Sequence, residues 1–376
     1  MRLLLVIRDL DIGGAQRQVI NLANELAARG HEVAILPFYP GGRLSHGVAN
    51  HRVRIFDGAK RSRWDLWSPF IDLRRALSAF KPDCVYSFLS LASIFVGIHR
   101  LFGRHPRWLF GYRHSKVDIA KYAWQDGVMY RFEAWLSRNA DCVIANSNAG
   151  ALNAKRWGFK AERIRVVPNG IETDYFHPSP ALRETTRQKW GMAAGTMLIG
   201  LVGRIDPMKD HMNFINAASA LKKTHPHVRF VCIGDGSREA VEKLKDAARR
   251  LDVADTVLWL GAQNDMAGVY NALDVLCLPS AFGEGFPNVV GEAMACGVSC
   301  VVSDVGDSAL IVGSLGQVVP PGDSAALAAA LVAALDARCA KLALTCRERI
   351  ENEFNMERLA SRTEDAMLGV MGHDRA

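Results

Sequence analysis

The sequence lacks the long apolar runs of a membrane protein and the composition of a disordered one. Its longest weakly charged stretch, residues 84–98, is shorter than a membrane span and contains three serines. No signal peptide is evident, because the apolar opening is short and Arg8 and Asp9 follow it at once. Hydrophobic residues make up 49% of the chain and charged residues 23%, as in folded globular proteins. We therefore expect a globular, cytoplasmic protein.

Several common motifs are also missing. The eight cysteines include no Cys-x-x-Cys pair, which favours buried free thiols. Cys296 and Cys300 have no histidine or second cysteine pair nearby that would complete a metal site. The first predicted strand is not followed by Gly-x-Gly-x-x-Gly, so the dinucleotide fingerprint is absent. We find no acidic cluster of the Asp-x-Asp metal type at a strand end, so metal dependence is not expected, and we find no motif for nucleic-acid recognition.

Positive charge is concentrated in the first half of the chain. Residues 1–180 carry 26 Lys and Arg against 15 Asp and Glu, and residues 181–376 carry 20 against 24. The net charge of +7 therefore combines a first half at +11 with a second half at −4. A basic face suits nucleic acid, anionic lipid or a phosphorylated substrate, and the lack of a nucleic-acid motif favours the last two.

Short apolar runs alternate with helical stretches along the whole chain. The runs that predict strands lie at residues 2–7, 32–36, 53–56, 84–88, 108–112, 142–146, 164–167, 197–202, 228–234, 257–261, 274–279 and 299–303. This alternation predicts mainly parallel sheets with helices on both faces, and the length suffices for two domains. We interpret the stretch with Pro178 and Pro180 as a linker, predict helix from 324 to about 354, and predict a last helix at 356–370.

The most informative stretch is residues 279–297. Two glycines and two prolines between Pro279 and Pro287 predict a shaped loop, and a helix can begin only after Pro287 and ends at Gly297. Free N–H groups at a helix start bind anions. Glu284 lies in the loop and Glu292 about one turn inside the helix. Taken singly, each glutamate could be an ordinary solvated or first-turn acid. Together they suit a ligand with phosphate and hydroxyl groups, such as a nucleotide sugar.

The string Glu-Gly-Phe-Pro-Asn-Val-Val-Gly-Glu-Ala-Met-Ala-Cys-Gly resembles the Glu-x7-Glu signature of the retaining glycosyltransferases of family 4. The resemblance implies the α/β GT-B fold, with two Rossmann-like, doubly wound domains facing a cleft. It also implies that Glu292 grips the nucleotide ribose and that Glu284 lies beside the donor sugar. Gly297-Val298-Ser299 departs from the Gly-x-Pro usual in the family, which affects turn rigidity more than chemistry.

Further elements extend the resemblance over nearly the whole chain. Gly-Arg-Ile-Asp-Pro-Met-Lys resembles the family's Gly-Arg-x4-Lys element, in which an arginine fork and a mobile lysine can neutralise a diphosphate. Residues 167–171 resemble the end of the family's first domain. These matches imply an acceptor domain at 1–180, a donor domain at 181–355, and a helix at 356–376 that crosses back to the first domain. The implied donor-binding set is Gly13, Gly14, Gly203, Arg204, Lys209, Glu284, Gly285, Phe286, Asn288, Val289 and Glu292.

Polar residues after two first-domain strands are candidates for the acceptor side. The resemblance implies that His114, with Arg113 as its rival, lies beside the scissile bond. It also implies that Asn146 lies at the cleft, although Asn146-Ser147 could equally cap the next helix. Gly13-Gly14 alone could be a tight turn, and the resemblance favours a loop that faces the donor phosphates and the acceptor. Glu284, His114, Arg204 and Lys209 are the predicted catalytic residues.

The sequence thus predicts a retaining, metal-independent hexosyltransferase without a resident cofactor. It would move sugar from a nucleoside diphosphate sugar to a glycan or polyprenyl-linked acceptor in cell-surface polysaccharide or glycolipid synthesis. The alternatives are a catalytically inactive glycan- or lipid-binding scaffold of the same fold and a sugar-nucleotide epimerase. Aromatic residues interleaved with arginines in the basic half suggest peripheral attachment to anionic lipid on the inner face of the membrane.

Overall fold

The computed structural model of the chain describes residues 1–11, 13–48, 51–62, 64–103, 106–113 and 124–372, and leaves the side chains of 124–126 undescribed. The strands are β1 Arg2–Ile7, β2 Glu32–Pro37, β3 Val53–Ile55, β4 Cys84–Phe88, β5 Arg107–Tyr112, β6 Cys142–Ala145, β7 Ile164–Val166, β8 Met197–Val202, β9 Val228–Ile233, β10 Val257–Gly261, β11 Val275–Leu278, β12 Ser299–Ser303 and β13 Gln317–Val319. The helices are α1 Gly14–Ala28, α2 Trp67–Phe80, α3 Leu89–His99, α4 Trp124–Ser137, α5 Asn148–Arg156, α6 Pro180–Lys189, α7 His211–Lys222, α8 Arg238–Arg250, α9 Met266–Ala272, α10 Asn288–Ala295, α11 Ser308–Val312, α12 Ser324–Asp336, α13 Ala340–Glu353 and α14 Met356–Gly372.

The chain divides into two compact units. The first unit contains Met1–Gly170 and Met356–Ala376, and the second contains Ile171–Asn355. The Gln18 amide fixes the end of the first unit, because it donates to the Gly170 carbonyl over 2.6 Å and accepts from the Gly170 N–H over 3.0 Å. Ile171 then donates its N–H to the Phe354 carbonyl, which closes the second unit upon itself.

The first unit is built on a seven-stranded parallel sheet in the order β3-β2-β1-β4-β5-β6-β7. Its strands read as nearly continuous apolar runs because helices cover both faces. On one face α1 and α14 pack against the sheet through side chains such as Leu22 and Met367. On the other face lie α2, α3, α4 and α5, with Leu73, Phe95 and Ala134 in the core.

The second unit is built on a six-stranded parallel sheet in the order β10-β9-β8-β11-β12-β13. One face packs on α9, α10 and α13, with Val290 and Ile350 fully buried. The other face packs on α7, α8 and α12, with Phe214 and Leu331 fully buried. The predicted pair of doubly wound α/β domains is therefore confirmed. Among the described residues no helix has the length and apolarity that a membrane crossing requires.

Two local predictions were wrong. Residues 180–189 are not a linker but helix α6, which starts at Pro180 because the Ser179 hydroxyl caps the Leu182 N–H. The helix is also anchored by ion pairs from Arg183 and Arg187 to the buried Asp274. The predicted helix from 324 to about 354 is two helices, because α12 ends at Asp336 and α13 begins at Ala340 with the Cys339 side chain as its cap.

Candidate active site

The predicted donor residues of the second unit follow two neighbouring strands. β8 pairs with β9 on one side and with β11 on the other, so the strand order reverses at β8. Ligands of open parallel sheets bind at the carboxyl ends of the strands at such a reversal. The loop after β8 carries Gly203, Arg204 and Lys209, and the loop after β11 carries Glu284. Parallel pairing brings the two loops to one edge, where Ala281 donates its N–H to the Met208 carbonyl over 2.9 Å.

Lys209 and Glu284 form a buried ion pair at this edge. The Lys209 ammonium donates to Glu284 Oε1 over 2.5 Å, and the side chains are only 12% and 7% exposed. The Ser280 hydroxyl donates to the same oxygen over 2.6 Å. Gly203 makes room for the lysine, since a Cβ there would lie 3.1 Å from Lys209 Cε. Glu284 is therefore a positioned carboxylate and not a solvated loop acid.

The Glu284 loop is held by the turn after β12. The Asp307 N–H donates to the Gly285 carbonyl over 2.9 Å. Gly306 has a φ of +65°, and a Cβ on it would lie 2.4 Å from the Glu284 carbonyl oxygen. Gly283 has a φ of +81°. Glycine adopts this left-handed conformation without strain, and at Gly306 the backbone is also too close for any side chain.

Arg204 and His211 lie on either side of Lys209 in the chain, but Arg204 is exposed and His211 is buried. The Arg204 side chain is exposed and makes no hydrogen bond or ion pair with any described residue. Because Lys209 is paired with Glu284, Arg204 is the cation of this loop that has no ion-pair partner among the described residues.

His211 is buried at the start of α7. Burial, with the charge of Lys209, lowers the pKa of His211 to about 4, so its ring is neutral at neutral pH.

Glu292 lies inside α10 with a fixed orientation. Its side chain is 6% exposed, and the Tyr270 hydroxyl donates to Glu292 Oε2 over 2.5 Å. Asn288 is the first residue of α10, as predicted, and no side-chain cap hydrogen bond occupies the helix start after Pro287. Backbone N–H groups of that first turn favour an anion.

The remaining predicted donor residues of this loop differ in burial. Phe286 is 5% exposed and packs on Phe354 with ring centroids 5.4 Å apart, so it supports the loop from the core. Gly285, Asn288 and Val289 are half-buried at the loop and at the start of α10. Phe286 therefore offers a ligand its backbone and not its ring.

In the first unit, Gly13 and Gly14 join β1 to α1. Gly13 is extended and Gly14 begins the helix; a Cβ on Gly13 would lie 2.3 Å from Gln16 Oε1. Asp9 and Asp11 form an Asp-x-Asp pair just after β1, so the sequence reading that found no such cluster at a strand end was wrong. Asp9 accepts from Arg8, Gln16 and the Asp11 N–H. Burial opposes ionisation, but these hydrogen bonds lower the pKa of Asp9.

The predicted acceptor residues lie after β5 and β6. Arg113 donates to Asn169 Oδ1 over 2.8 Å, and its guanidinium lies 4.6 Å from the centre of the Phe88 ring. Asn146 is buried after β6, and the Ser147 hydroxyl caps α5 by accepting from Gly150. The two readings of Asn146-Ser147 are thus compatible. His114 lies outside the described residues.

Sequence reasoning missed the residues that orient the two glutamates. Tyr270 is 22 positions from Glu292, and no local pattern marks it as a partner. Ser280 lies in the predicted loop before Pro287 and Gly306 in the turn after β12, and the sequence alone gives neither a role. Gly306, in the turn just after β12, is a sequence signal, since glycine is the usual residue where backbones approach closely.

Two family models match separate parts of the chain. The model described as Glycosyltransferase Family 4 matches residues 12–175, and the model described as Glycosyl transferases group 1 matches residues 196–337. The chain is 34% identical to a D-inositol 3-phosphate glycosyltransferase of Nocardiopsis dassonvillei, over 79% of this chain and 75% of that protein. It is 28% identical to a putative glycosyltransferase EpsF of Bacillus subtilis, over 51% of this chain and 50% of that protein.

A solved structure shares the fold over almost the full length. The HepE protein of Anabaena, crystallised in complex with UDP, superposes with a TM-score of 0.84 at 22% sequence identity. The match covers 98% of this chain and 100% of that chain. At this identity the likeness shows the fold, which is the predicted GT-B fold with two doubly wound domains.

Proposed function

This chain belongs to the glycosyltransferases of Family 4 and group 1, and from that premise we propose that it is a retaining, metal-independent hexosyltransferase. The donor is a nucleoside diphosphate sugar, and the acceptor is a glycan or a polyprenyl-linked glycan of cell-surface polysaccharide or glycolipid synthesis. The observation that carries the proposal is the buried Lys209–Glu284 pair at the β8–β11 edge, beside the exposed Arg204 and the start of α10.

The diphosphate is proposed to bind between Arg204, Lys209 and the first turn of α10. Arg204 supplies a planar fork of donors without a competing protein partner among the described residues. Lys209 uses one N–H on Glu284 and has two left for phosphate oxygens. Negative charge grows on the diphosphate as the glycosidic bond breaks, so these cations stabilise the transition state more than the ground state.

The two glutamates are proposed to hold the two sugars of the donor. Glu292 accepts from the ribose hydroxyls, and Tyr270 fixes the carboxylate so that it loses little freedom on binding. Glu284 lies beside the transferred sugar, where Ser280 and Lys209 already orient Oε1. In the first unit, Gly13 and Gly14 are assigned to the donor phosphates and the acceptor. Arg113, His114 and Asn146 are assigned to the acceptor, with His114 beside the scissile bond.

Retention of the anomeric configuration is proposed to follow from front-face attack: the acceptor approaches the anomeric carbon from the same face that the leaving group departs from. The acceptor oxygen forms the new bond to the anomeric carbon as the bond to the diphosphate oxygen breaks. The departing phosphate oxygen takes the acceptor proton, so atoms and charges balance without a protein nucleophile. No resident cofactor or metal takes part, and the reaction should therefore survive a chelator.

The test is a turnover screen against nucleotide sugars with uridine, guanosine and adenosine bases. One base should support release of nucleoside diphosphate, with or without EDTA, and nuclear magnetic resonance should show that the anomeric configuration is retained. HepE binds UDP, which makes uridine the first base to try. Arg204→Ala should lower kcat by about a hundredfold or more, whereas Arg250→Ala, on the exposed end of α8, should not.

The alternatives give different outcomes in the same screen. An epimerase would convert the nucleotide sugar to another without releasing nucleoside diphosphate. An inactive scaffold would bind glycan or lipid and release nothing from any donor. Inversion of configuration would contradict the proposed front-face chemistry.

A further inference from the structure

We propose that the outer surface of helices α2 to α5 docks on an anionic lipid bilayer. These four helices follow one another over the same face of the seven-stranded sheet, because each crossover from β3 through β7 steps in one direction and such crossovers are right-handed. Their inner side chains share one core, which includes Leu73, Phe95, Ala134 and Ala154. Their outward-facing side chains therefore form one surface.

Large apolar side chains are exposed across that surface. Trp67 is 79% exposed and Phe102, just after α3, is 81% exposed. The apolar patch, as defined here, consists of Trp67, Ile71, Phe102, Val128, Phe132 and Trp135. Residues 67 and 71 share one face of α2, and residues 128, 132 and 135 share one face of α4, so each helix presents a stripe. Phe132 and Trp135 stack on each other with ring centroids 5.8 Å apart.

The patch borders a groove, which Trp67 and Phe102 help to line. The side chains of Trp67, Phe70 and Leu77 on α2 face Ile98, Phe102 and Pro106 across an open space of about 950 Å³. Exposed aromatic side chains grouped in this way mark an interaction surface and not the scattered apolar residues of an ordinary surface. Indole rings in particular favour the level of the lipid headgroups.

The charge of the same helices identifies the partner. Arg74 and Arg75 on α2, Arg131 on α4, and Lys155 and Arg156 on α5 are all exposed. The two described acidic side chains of these helices are turned inward: Asp72 is 3% exposed and Glu133 is fully buried. An apolar surface whose exposed charges, among the described side chains, are all basic is complementary to anionic lipid, because the rings enter the headgroup layer while the cations bind phosphates.

The experiment is flotation with vesicles of phosphatidylcholine alone or with added phosphatidylglycerol. We expect binding to the anionic vesicles that weakens with salt, because exposed charges are screened. Arg74→Glu with Arg75→Glu should reduce partitioning by about 25-fold or more, since each basic residue near an anionic surface contributes about fivefold. Trp67→Ser with Phe102→Ser should reduce it by about tenfold or more.

Matched variants in the second unit distinguish an effect of this surface from a general effect of net charge or of exposed apolar side chains. Lys243→Glu with Arg250→Glu makes the same charge change on α8, and Leu310→Ser with Leu344→Ser removes two exposed apolar side chains. Both should float like the wild type. Equal loss in the control and patch variants would overturn the proposal, as would equal binding to neutral vesicles.

Two further measurements on the patch variants, donor hydrolysis and sedimentation, separate loss of lipid binding from other effects. Donor hydrolysis in vesicle-free solution should be the same for the patch variants and the wild type, so a failed lipid result and a failed catalytic proposal are distinguishable. Sedimentation should show the same mass for both. A patch that instead mediates association of two copies would show a lower mass in the patch variants and no flotation.

Discussion

The Lys209–Glu284 pair gives the sharpest prediction about the site's construction. We expect a double-mutant cycle with Lys209→Ala, Glu284→Ala and the double variant to be strongly non-additive in the free energy of unfolding. Removing one partner leaves the other charge in a site where neither side chain is more than 12% exposed. Losing one partner of a buried pair typically costs about 3–5 kcal/mol. Losing both should cost less than the sum of the two single losses, because the double variant leaves no unpaired buried charge.

The coupling free energy should be about 1–3 kcal/mol, the range for contacting residues in one network. The control is the Lys245–Glu242 pair of α8, which has the same residue types at 3.1 Å but is 35% and 51% exposed. An exposed pair couples by about 0.5 kcal/mol or less. Urea unfolding of the full chain at one pH supplies all seven free energies, one for the wild type and three for the variants of each pair. A Lys209–Glu284 coupling no larger than that of the control pair would refute the argument that burial fixes Glu284.

Four further outcomes are expected. Asp274→Ala should cost about 3–5 kcal/mol of unfolding free energy in urea, because three arginines lose a carboxylate that is 1% exposed. Tyr270→Phe should weaken nucleoside diphosphate binding about tenfold by calorimetry, because Glu292 loses its fixed donor; an unchanged Kd would contradict this. Gly306→Ala should lower kcat through the displaced loop, whereas a normal kcat would show that the loop tolerates the added carbon. Burial raises the pKa of Glu133 to about 7, so the folded state favours the protonated carboxyl and stability falls as pH rises toward and through 7. Glu133→Gln should remove up to about 3 kcal/mol of that decline in stability. Equal pH profiles of unfolding free energy for the variant and the wild type would show that Glu133 does not cause the decline.

Much of the fold was predictable because most strands are uninterrupted apolar runs bounded by turn residues. The bounds of β1, β4 and β8 agree with the sequence reading to the residue. The edge strand β13 was missed, since three residues with two of them exposed give no readable run. Helix α6 was missed because Ser-Pro begins helices and linkers alike. The residue whose contacts decide between them, Asp274, lies 87 and 91 positions from the two arginines of α6.

The candidate site was predictable only where its residues are contiguous. The string from Glu284 to Glu292 carries its own loop, helix start and spacing, and the string from Gly203 to Lys209 carries its own turn and spacing. The side chains that orient these groups come from other strands and turns. No periodicity links Tyr270 to Glu292, because the contact exists only once the sheet has formed. The commitment of Lys209 to Glu284, which leaves Arg204 as the cation without an ion-pair partner among the described residues, likewise follows from strand order and not from sequence spacing.

The most direct test of the central claim is a binding measurement on the ribose. Calorimetry would compare the nucleoside diphosphate of the preferred base with its 2′,3′-dideoxy form, for the wild type, Glu292→Ala and the control Glu348→Ala, an exposed glutamate of α13. We predict that the wild type and the control lose about tenfold or more in affinity without the hydroxyls, as expected for hydrogen bonds to a charged group. Glu292→Ala should bind both ligands equally weakly. If Glu292→Ala still distinguishes the two ligands as the wild type does, Glu292 does not hold the ribose and the assignment of the donor site is contradicted.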